Sequence, residues 1–279
     1  MYKKYFNLKM VACLAALLPL TAEIRDPGEF FKTREGTLCW RPIEPPFQGR
    51  EHAGRLLGEE LISQYGLETL KDAIVLGCPR GGVLFAKGIV DTIREAGGDP
   101  TLDLVISRKI IAPGTTDYGV GAINEAGEIV YMERSIKYLN VDIDSKEVQA
   151  NIENTYKEIL RRISVYRDGR PLISVKDRVV IVVDGVVSGG TMIACVKSVQ
   201  SHPEGKPKRI IIATPVTTPG GKRTVLNETG LSEEDFCRAA LASAPKEAIW
   251  NSDDFYQKTK DFEQMTDQEV RDILISYAR

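Results

Sequence analysis

Residues 179–192 read VVIVVDGVVSGGTM, and the fold turns on this stretch. Five β-branched residues, Val179 to Val183, lie between Arg178 and Asp184. An unbroken apolar run of this length predicts a strand buried on both faces, as in a parallel sheet. The strand delivers one carboxylate, Asp184, at its C-terminal end. Gly185 follows, then Ser188, Gly189, Gly190 and Thr191, with Gly-Gly-Thr opening a helix. Ligands of open α/β sheets bind at this edge. Glycines let the backbone approach an anion, while free N–H groups and the helix dipole attract a phosphate. The Ser188 and Thr191 hydroxyls can donate to the same oxygens or cap the helix. A plain tight turn accounts for the same residues, and local physics leaves both readings open.

The layout recurs upstream. The run AIVLG (73–77) predicts a strand ending in CPRGG (78–82), and VLFAKGIVDTIREAGG (83–98) then predicts a helix ending at Gly97-Gly98. Arg80 brings a cationic fork to this second loop, beside Gly81 and Gly82; a surface arginine next to a turn is the simpler alternative. LDLVIS (102–107) predicts another strand, with Arg108 and Lys109 at its end. The three strand ends can converge on one edge of one sheet. Two anion-binding loops with extra cations suit a ligand carrying two separated phosphate groups.

Farther out, apolar spacing predicts a helix over Arg50–Tyr65. GAINEAGEIVY (121–131) predicts a hairpin turning at Glu125-Ala126-Gly127. A charged helix over Ser145–Tyr166, a strand at RIIIATPV (209–216) and a last helix near Asp267–Tyr277 complete the pattern. Residues 24–46, rich in Pro, Gly and charge, are expected as an irregular lead-in. Serial strand–turn–helix units give the fold class: α/β, a central parallel sheet with helices on both faces.

The 279 residues carry a formal net charge of -2 and are 43% hydrophobic, which argues against a general nucleic-acid binder. Two histidines, His52 and His202, leave little for a histidine-rich metal site or a Ser-His-Asp triad. An enzyme with this composition would run on carboxylates, backbone amides, Arg and Lys, or a bound cation. Five cysteines, with no CxxC, read as reduced thiols, and Cys78 as a small residue filling space beneath its loop. The N-terminus pairs a basic MYKKYFNLK with an apolar MVACLAALLPL, which is like the start of a signal peptide but too short to span a bilayer. The expectation is a cytoplasmic protein without membrane or nucleic-acid partners, with residues 1–46 as an extension and 47–279 as one domain.

At this point the ordered motifs resemble the type I phosphoribosyltransferases, and more closely the predicted phosphoribosyltransferases with a PRGGV loop. FQGREHAGRLLGEEL (47–61), VLGCPRGGVLFA (75–86), LDLVISRKI (102–110) and PGTTDYGVGAINEAGEI (113–129) match in order. RRISVYRDGRP (161–171) and DFEQMTDQEV (261–270) continue the match. The resemblance implies transfer of the phosphoribosyl group of phosphoribosyl pyrophosphate (PRPP) to a nitrogenous base or amine, releasing pyrophosphate. It implies that Gly185 and Ser188 to Thr191 bind the 5′-phosphate, and that Arg80, Gly81, Gly82, Arg108 and Lys109 bind pyrophosphate. Asp184 and Lys109 would be catalytic, with Mg²⁺ as cofactor and Asp184 as its ligand. The loop Ala112 to Tyr118 would close over the site. A small hood from N- and C-terminal segments would cover the acceptor, where Trp250, Phe255 or Tyr256 could stack on a base; core packing is the alternative for each. Relatives are commonly homodimers.

One departure stands out. The family usually has two adjacent acids before the turn, and here there is one. Counting back from Gly-Gly-Thr makes Asp184 the second acid and Val183 the lost first. Counting forward from Arg178 makes Asp184 the first and Gly185 the lost second. Asp117 also stands where the family often has Glu. A non-catalytic PRPP- or nucleotide-binding regulatory protein of the same fold is therefore the alternative to an enzyme.

Overall fold

The computed structural model describes residues 28–32, 38–42, 46–115, 118–186, 189–241, 255–257 and 265–278. Its centre is a sheet of five parallel strands: β3 (Ile74–Gly77), β4 (Thr101–Leu104), β8 (Val179–Val183), β9 (Arg209–Thr217) and β10 (Phe236–Leu241). Their order is β10-β9-β8-β3-β4. The chain runs from β3 outward to β4, then returns to the other side of β3 and proceeds through β8, β9 and β10. The order therefore reverses between β3 and β8, which is where open α/β sheets leave a crevice.

Both faces are covered, which is why the strands lack polar alternation. Along β8, Val179, Ile181 and Val183 pack on one face with Ala53, Leu57, Phe85 and Ile89. These belong to α1 (Arg50–Tyr65) and α3 (Gly82–Glu95). Val180 and Val182 face the other way, with Met192, Ile193 and Val196 of α6 (Gly190–Gln200) and Val225 of α7 (Pro219–Thr229). The short α2 (Leu67–Leu70) links α1 to β3.

Helices α1 and α3 meet backbone to backbone. A Cβ on Gly54 would fall inside contact distance of the Phe85 carbonyl, and one on Gly88 inside that of the Glu51 carbonyl. Lys87 Nζ bonds Glu51 Oε1 at 2.7 Å across the same contact.

A second, antiparallel sheet stands beside the first: β5 (Ser107–Ile111), β6 (Gly119–Asn124) and β7 (Ile129–Tyr131). This corrects the expected strand over 102–107. Backbone pairing with β3 ends at β4, and Ser107 pairs instead with Asn124 of β6. Arg108 and Lys109 thus sit on a hairpin strand, not at the end of a central strand. The apolar run hides the break because side chains stay buried through it. The Asn124 Oδ1 accepts from Ala126 N at 3.1 Å and Glu128 N at 2.9 Å, building the turn where it was expected. A third apolar cluster joins this hairpin to α5 (Lys146–Arg167) through Ile110, Val120 and Ile159.

Several elements were not anticipated, among them α2 and β10. Residues 28–42 are not wholly irregular: β1 (Gly28–Lys32) pairs antiparallel with β2 (Leu38–Pro42). Helix α4 (Glu133–Leu139) follows β7. Helix α7 starts at Pro219, with the Thr218 Oγ1 accepting from Gly221 N at 2.7 Å. The last helix, α8 (Asp267–Tyr277), begins with a reciprocal Thr266–Glu269 capping box. The N- and C-terminal parts meet where Phe47 N donates to Phe255 O (3.1 Å) and Gln257 N to Phe47 O (2.7 Å). Phe255 and Tyr256 are buried in the core, so packing accounts for both, while Trp250 lies outside the described residues. No helix among the described residues is long and apolar enough to cross a membrane.

An exposed helical glycine is normally improved by alanine, by up to about 1 kcal/mol. At Gly54 and Gly88 the sign should reverse, because the new methyl meets backbone. Gly54→Ala and Gly88→Ala are each expected to cost about 1–3 kcal/mol in urea unfolding. Gly220→Ala on α7, where the nearest atom is 3.8 Å from the added carbon, should be neutral or stabilising.

Candidate functional site

The last residues of β3 and β8 share a rung: Gly77 pairs with Val183. Beyond them Cys78 N donates to Val183 O at 3.2 Å, so the two loops start side by side. Gly82 opens α3 against the end of β8; a Cβ there would lie 2.9 Å from Val183 O. The sequence of the first loop thus has to be small where it passes the second. Gly189 is the N-cap of α6 with φ 94°, a left-handed conformation that favours glycine. Gly190 and Thr191 form the first turn of that helix. Helices α3 and α6 therefore both begin at the crevice between β3 and β8, with their positive dipole ends toward it. Ser188 and Asp117 lie outside the described residues.

Asp184 follows β8 directly. Burial pushes its carboxyl up to about 7, against the Gly185 backbone N–H, the Cys78 thiol and the Arg50 charge, which all favour the ionised form. Val183 is fully buried in the core, whereas a Cβ on Gly185 would meet nothing within 4 Å. A second carboxylate is thus accommodated at 185 and would be buried among aliphatic side chains at 183.

Beneath the loops lies a pair of thiols. The Sγ atoms of Cys78 and Cys195 are 3.6 Å apart, and Ser107 Oγ is 3.1 Å from Cys195 Sγ. Ser107 Oγ also donates to Thr191 O at 3.2 Å, tying the hairpin to the start of α6. The neighbouring Cys195 and burial hold the Cys78 thiol well above its ordinary range, which keeps it protonated and inert. The space-filling reading of Cys78 therefore holds.

The cations separate into two groups. Arg80 and Arg108 gather at α5, where Arg108 Nη1 lies 3.8 Å from Glu158 Oε1. Burial, then the positive charges of Arg162 and Arg80, hold the Arg108 guanidinium below its ordinary value. Lys109 sits on the opposite face of β5, the face of Ser107, with its stem over Gly119. Lys109 is exposed there. The loop after β5 is closed at its base by Ala112 N donating to Tyr118 O at 2.7 Å.

Two residues at the site were not singled out in the sequence. Arg50, at the start of α1, reaches the first loop, its Nε 3.1 Å from where a Cβ of Gly81 would stand. Arg162 of α5 donates from Nη1 to Pro79 O at 3.2 Å. Both arrive through tertiary packing, although both lie in quoted family motifs. The histidines stay out of the site. His52 Nδ1 accepts from Gln48 N at 3.3 Å. His202 accepts from Glu204 N at Nδ1, and its Nε2 is 3.2 Å from Leu172 O.

Comparison with known proteins agrees with this geometry. The model of the phosphoribosyl transferase domain matches residues 51–234. A protein of Mycobacterium tuberculosis named "Putative phosphoribosyl transferase" is 28% identical over 197 residues, in each of two strains. The match covers 70% of this chain but only 41% of that relative, so the chain spans about two fifths of the relative's length. The crystal structure of the protein TT1426 from Thermus thermophilus is 28% identical, with a TM-score of 0.59. That match covers 84% of this chain and 99% of the other. With two glycine loops meeting at the sheet's switch point and the domain model spanning both, the chain belongs to the phosphoribosyl transferase domain family.

Proposed function

We propose that this protein binds PRPP across the β3/β8 crevice and transfers its phosphoribosyl group to a nitrogen nucleophile. The observation that carries the reading is the shared rung of Gly77 and Val183, which sets two helix N-termini side by side at the switch point. Two such anion sites suit a ligand with a phosphate at each end. The names of the relatives support the same class of chemistry.

In this reading Gly185, Ser188, Gly189, Gly190 and Thr191 hold the 5′-phosphate, and Arg80, Gly81 and Gly82 receive pyrophosphate with Arg108. Asp184 faces the ribose hydroxyls. Lys109 is exposed on the opposite face of β5 from Arg108 and would reach the leaving group from the α6 side. The nitrogen lone pair forms the new bond to the anomeric carbon as the carbon–oxygen bond to pyrophosphate breaks. The bonding pair leaves with pyrophosphate, and the proton on nitrogen passes to solvent. Positive charge grows on the sugar and negative charge on the leaving group, so preorganised cations and amides act where charge develops.

Magnesium, implied by the family, would neutralise pyrophosphate when bound. The donors present do not suit an ion held by the protein. Asp184 stands alone after β8, and burial pushes its carboxyl up to about 7, which disfavours the charged form. No cluster of three or more His, Cys, Asp or Glu comes together among the described residues. The same single acid favours a second reading, a binding protein of this fold that holds PRPP without turning it over.

Thermal unfolding with PRPP, and pyrophosphate release over a panel of bases and amines, test both readings. Binding at about 100 times Kd should stabilise the fold by about 2.7 kcal/mol. A melting shift with release marks the enzyme, and a shift without release marks the binding protein. No shift with PRPP, pyrophosphate or nucleoside monophosphates overturns both.

Asp184 yields a pH test. Its folded value lies above the unfolded value of about 3.9, so the folded state holds the proton more tightly. The contribution of Asp184 to stability should then be lost as pH rises from about 4 to 7. Asp184→Asn should remove this loss. The variant is expected to match wild type near pH 4 and to exceed it at pH 8 by about 1–3 kcal/mol in urea unfolding.

A further inference from the structure

Where the family is expected to use a metal, this chain gathers arginines. The loop after β3 leans on α5. Arg162, 7% exposed, donates from Nη1 to Pro79 O at 3.2 Å and from Nε to Glu158 Oε1 at 3.0 Å. Arg161 shares Glu158 at 2.6 Å and reaches Asp267 at 2.7 Å. Arg108 approaches the same Glu158 from β5. Arg80, next along the loop from Pro79, has a buried Nε with no hydrogen-bond partner among the described residues.

Three of these guanidinium groups, those of Arg108, Arg161 and Arg162, share the Glu158 carboxylate, Arg161 also reaches Asp267, and Arg80 acts electrostatically on Arg108 beside them. Crowding like charges at a half-buried place is costly unless an anion joins them. Arg80, with no ion pair among the described residues, and Arg108, with only a long one of 3.8 Å to Glu158, belong to the loop after β3 and to the hairpin. The groups with partners, Arg161 and Arg162, lie on α5 behind them. Guanidinium forks match phosphate oxygens in pairs, and unlike a metal they need no carboxylate to hold them in place.

We infer that this arginine cluster binds the pyrophosphate group of the ligand without a metal ion, and that Arg162 is the positioning residue that sets its loop. The inference rests on the phosphoribosyltransferase reading of the crevice. Arg162 does not touch the ligand: it fixes the Pro79 carbonyl, and with it the direction in which Arg80 leaves the loop. Glu158 acts as the shared counter-charge that keeps Arg108 and Arg162 in one cluster.

Calorimetric titration of the full chain tests this with inorganic pyrophosphate, PRPP and ribose 5-phosphate, each in excess EDTA and in excess Mg²⁺. Pyrophosphate affinity in EDTA is expected within about threefold of that in Mg²⁺. Arg162→Met should weaken pyrophosphate at least about tenfold while leaving ribose 5-phosphate within about threefold. Arg162→Lys keeps the charge but loses the fork to Pro79 and Glu158, and should stay closer to Arg162→Met than to wild type. Equal weakening of both ligands in the variants would mean general damage to the fold and overturn the role of Arg162. Pyrophosphate or PRPP binding that appears only with Mg²⁺ overturns the metal-free cluster and leaves the phosphoribosyltransferase reading standing. No binding of either under both conditions removes that reading as well.

Discussion

Gly77 and Val183 end neighbouring parallel strands on one rung, and the rest of the site hangs on that register. A slip of one residue would turn every side chain of β8 to the opposite face. Val180 and Val182 would leave the α6 side, and the aliphatic packing of both layers would be lost. Core packing on two faces therefore enforces the register, and the register puts both loops at the same height. The Cys78 N–H to Val183 O bond then carries the alignment one step beyond the sheet. Geometry useful for a ligand is thus secured by forces that have nothing to do with the ligand.

The parts legible in the sequence were those set by local periodicity and local caps. The run Val179–Val183 is a strand over its whole length because nothing polar interrupts it and two helix layers cover it. Arg50–Tyr65 and Asp267–Tyr277 are helices with the expected bounds. The second of these opens with a capping box that lies wholly within four residues, Thr266 to Glu269. Reading failed where partners change without a change in polarity. From Leu102 to Ile110 the chain passes from one sheet to another, while Leu104, Val105, Ile106 and Ile110 stay buried. Helix α7 was missed although Thr218-Pro219 is a good helix start, because Gly220-Gly221 directly follows and reads as a loop.

The site divides in the same way. Its glycine turns follow strands and open helices, so they could be found by walking along the chain. Arg50 and Arg162 could not, because nothing near them in sequence says which loop they will meet. Arg162 reaches Pro79 across 83 positions. Such contacts depend on how α5 lies against the hairpin, and that is decided by Ile110, Val120 and Ile159 in a separate apolar cluster. The missing acid was visible at once, yet the place for a replacement was not. Only the packing shows that 183 belongs to the core while 185 faces open space.

The paired thiols under the loops carry one more consequence. Cys78 and Cys195 bring two sulfur atoms together between the loop after β3 and the inner face of α6. A thiol is polarisable but only weakly polar, so it opposes the field of the turns less than a negatively charged group would. The chain as a whole carries a formal net charge of -2, which disfavours a polyanion at long range. Within about 10 Å, the reach of a charge at 0.1 M salt, the local field takes over. Encounter with a phosphate-bearing molecule is then governed by the mouth of the crevice and by ionic strength, and the protein's overall charge has little say in how fast it is captured.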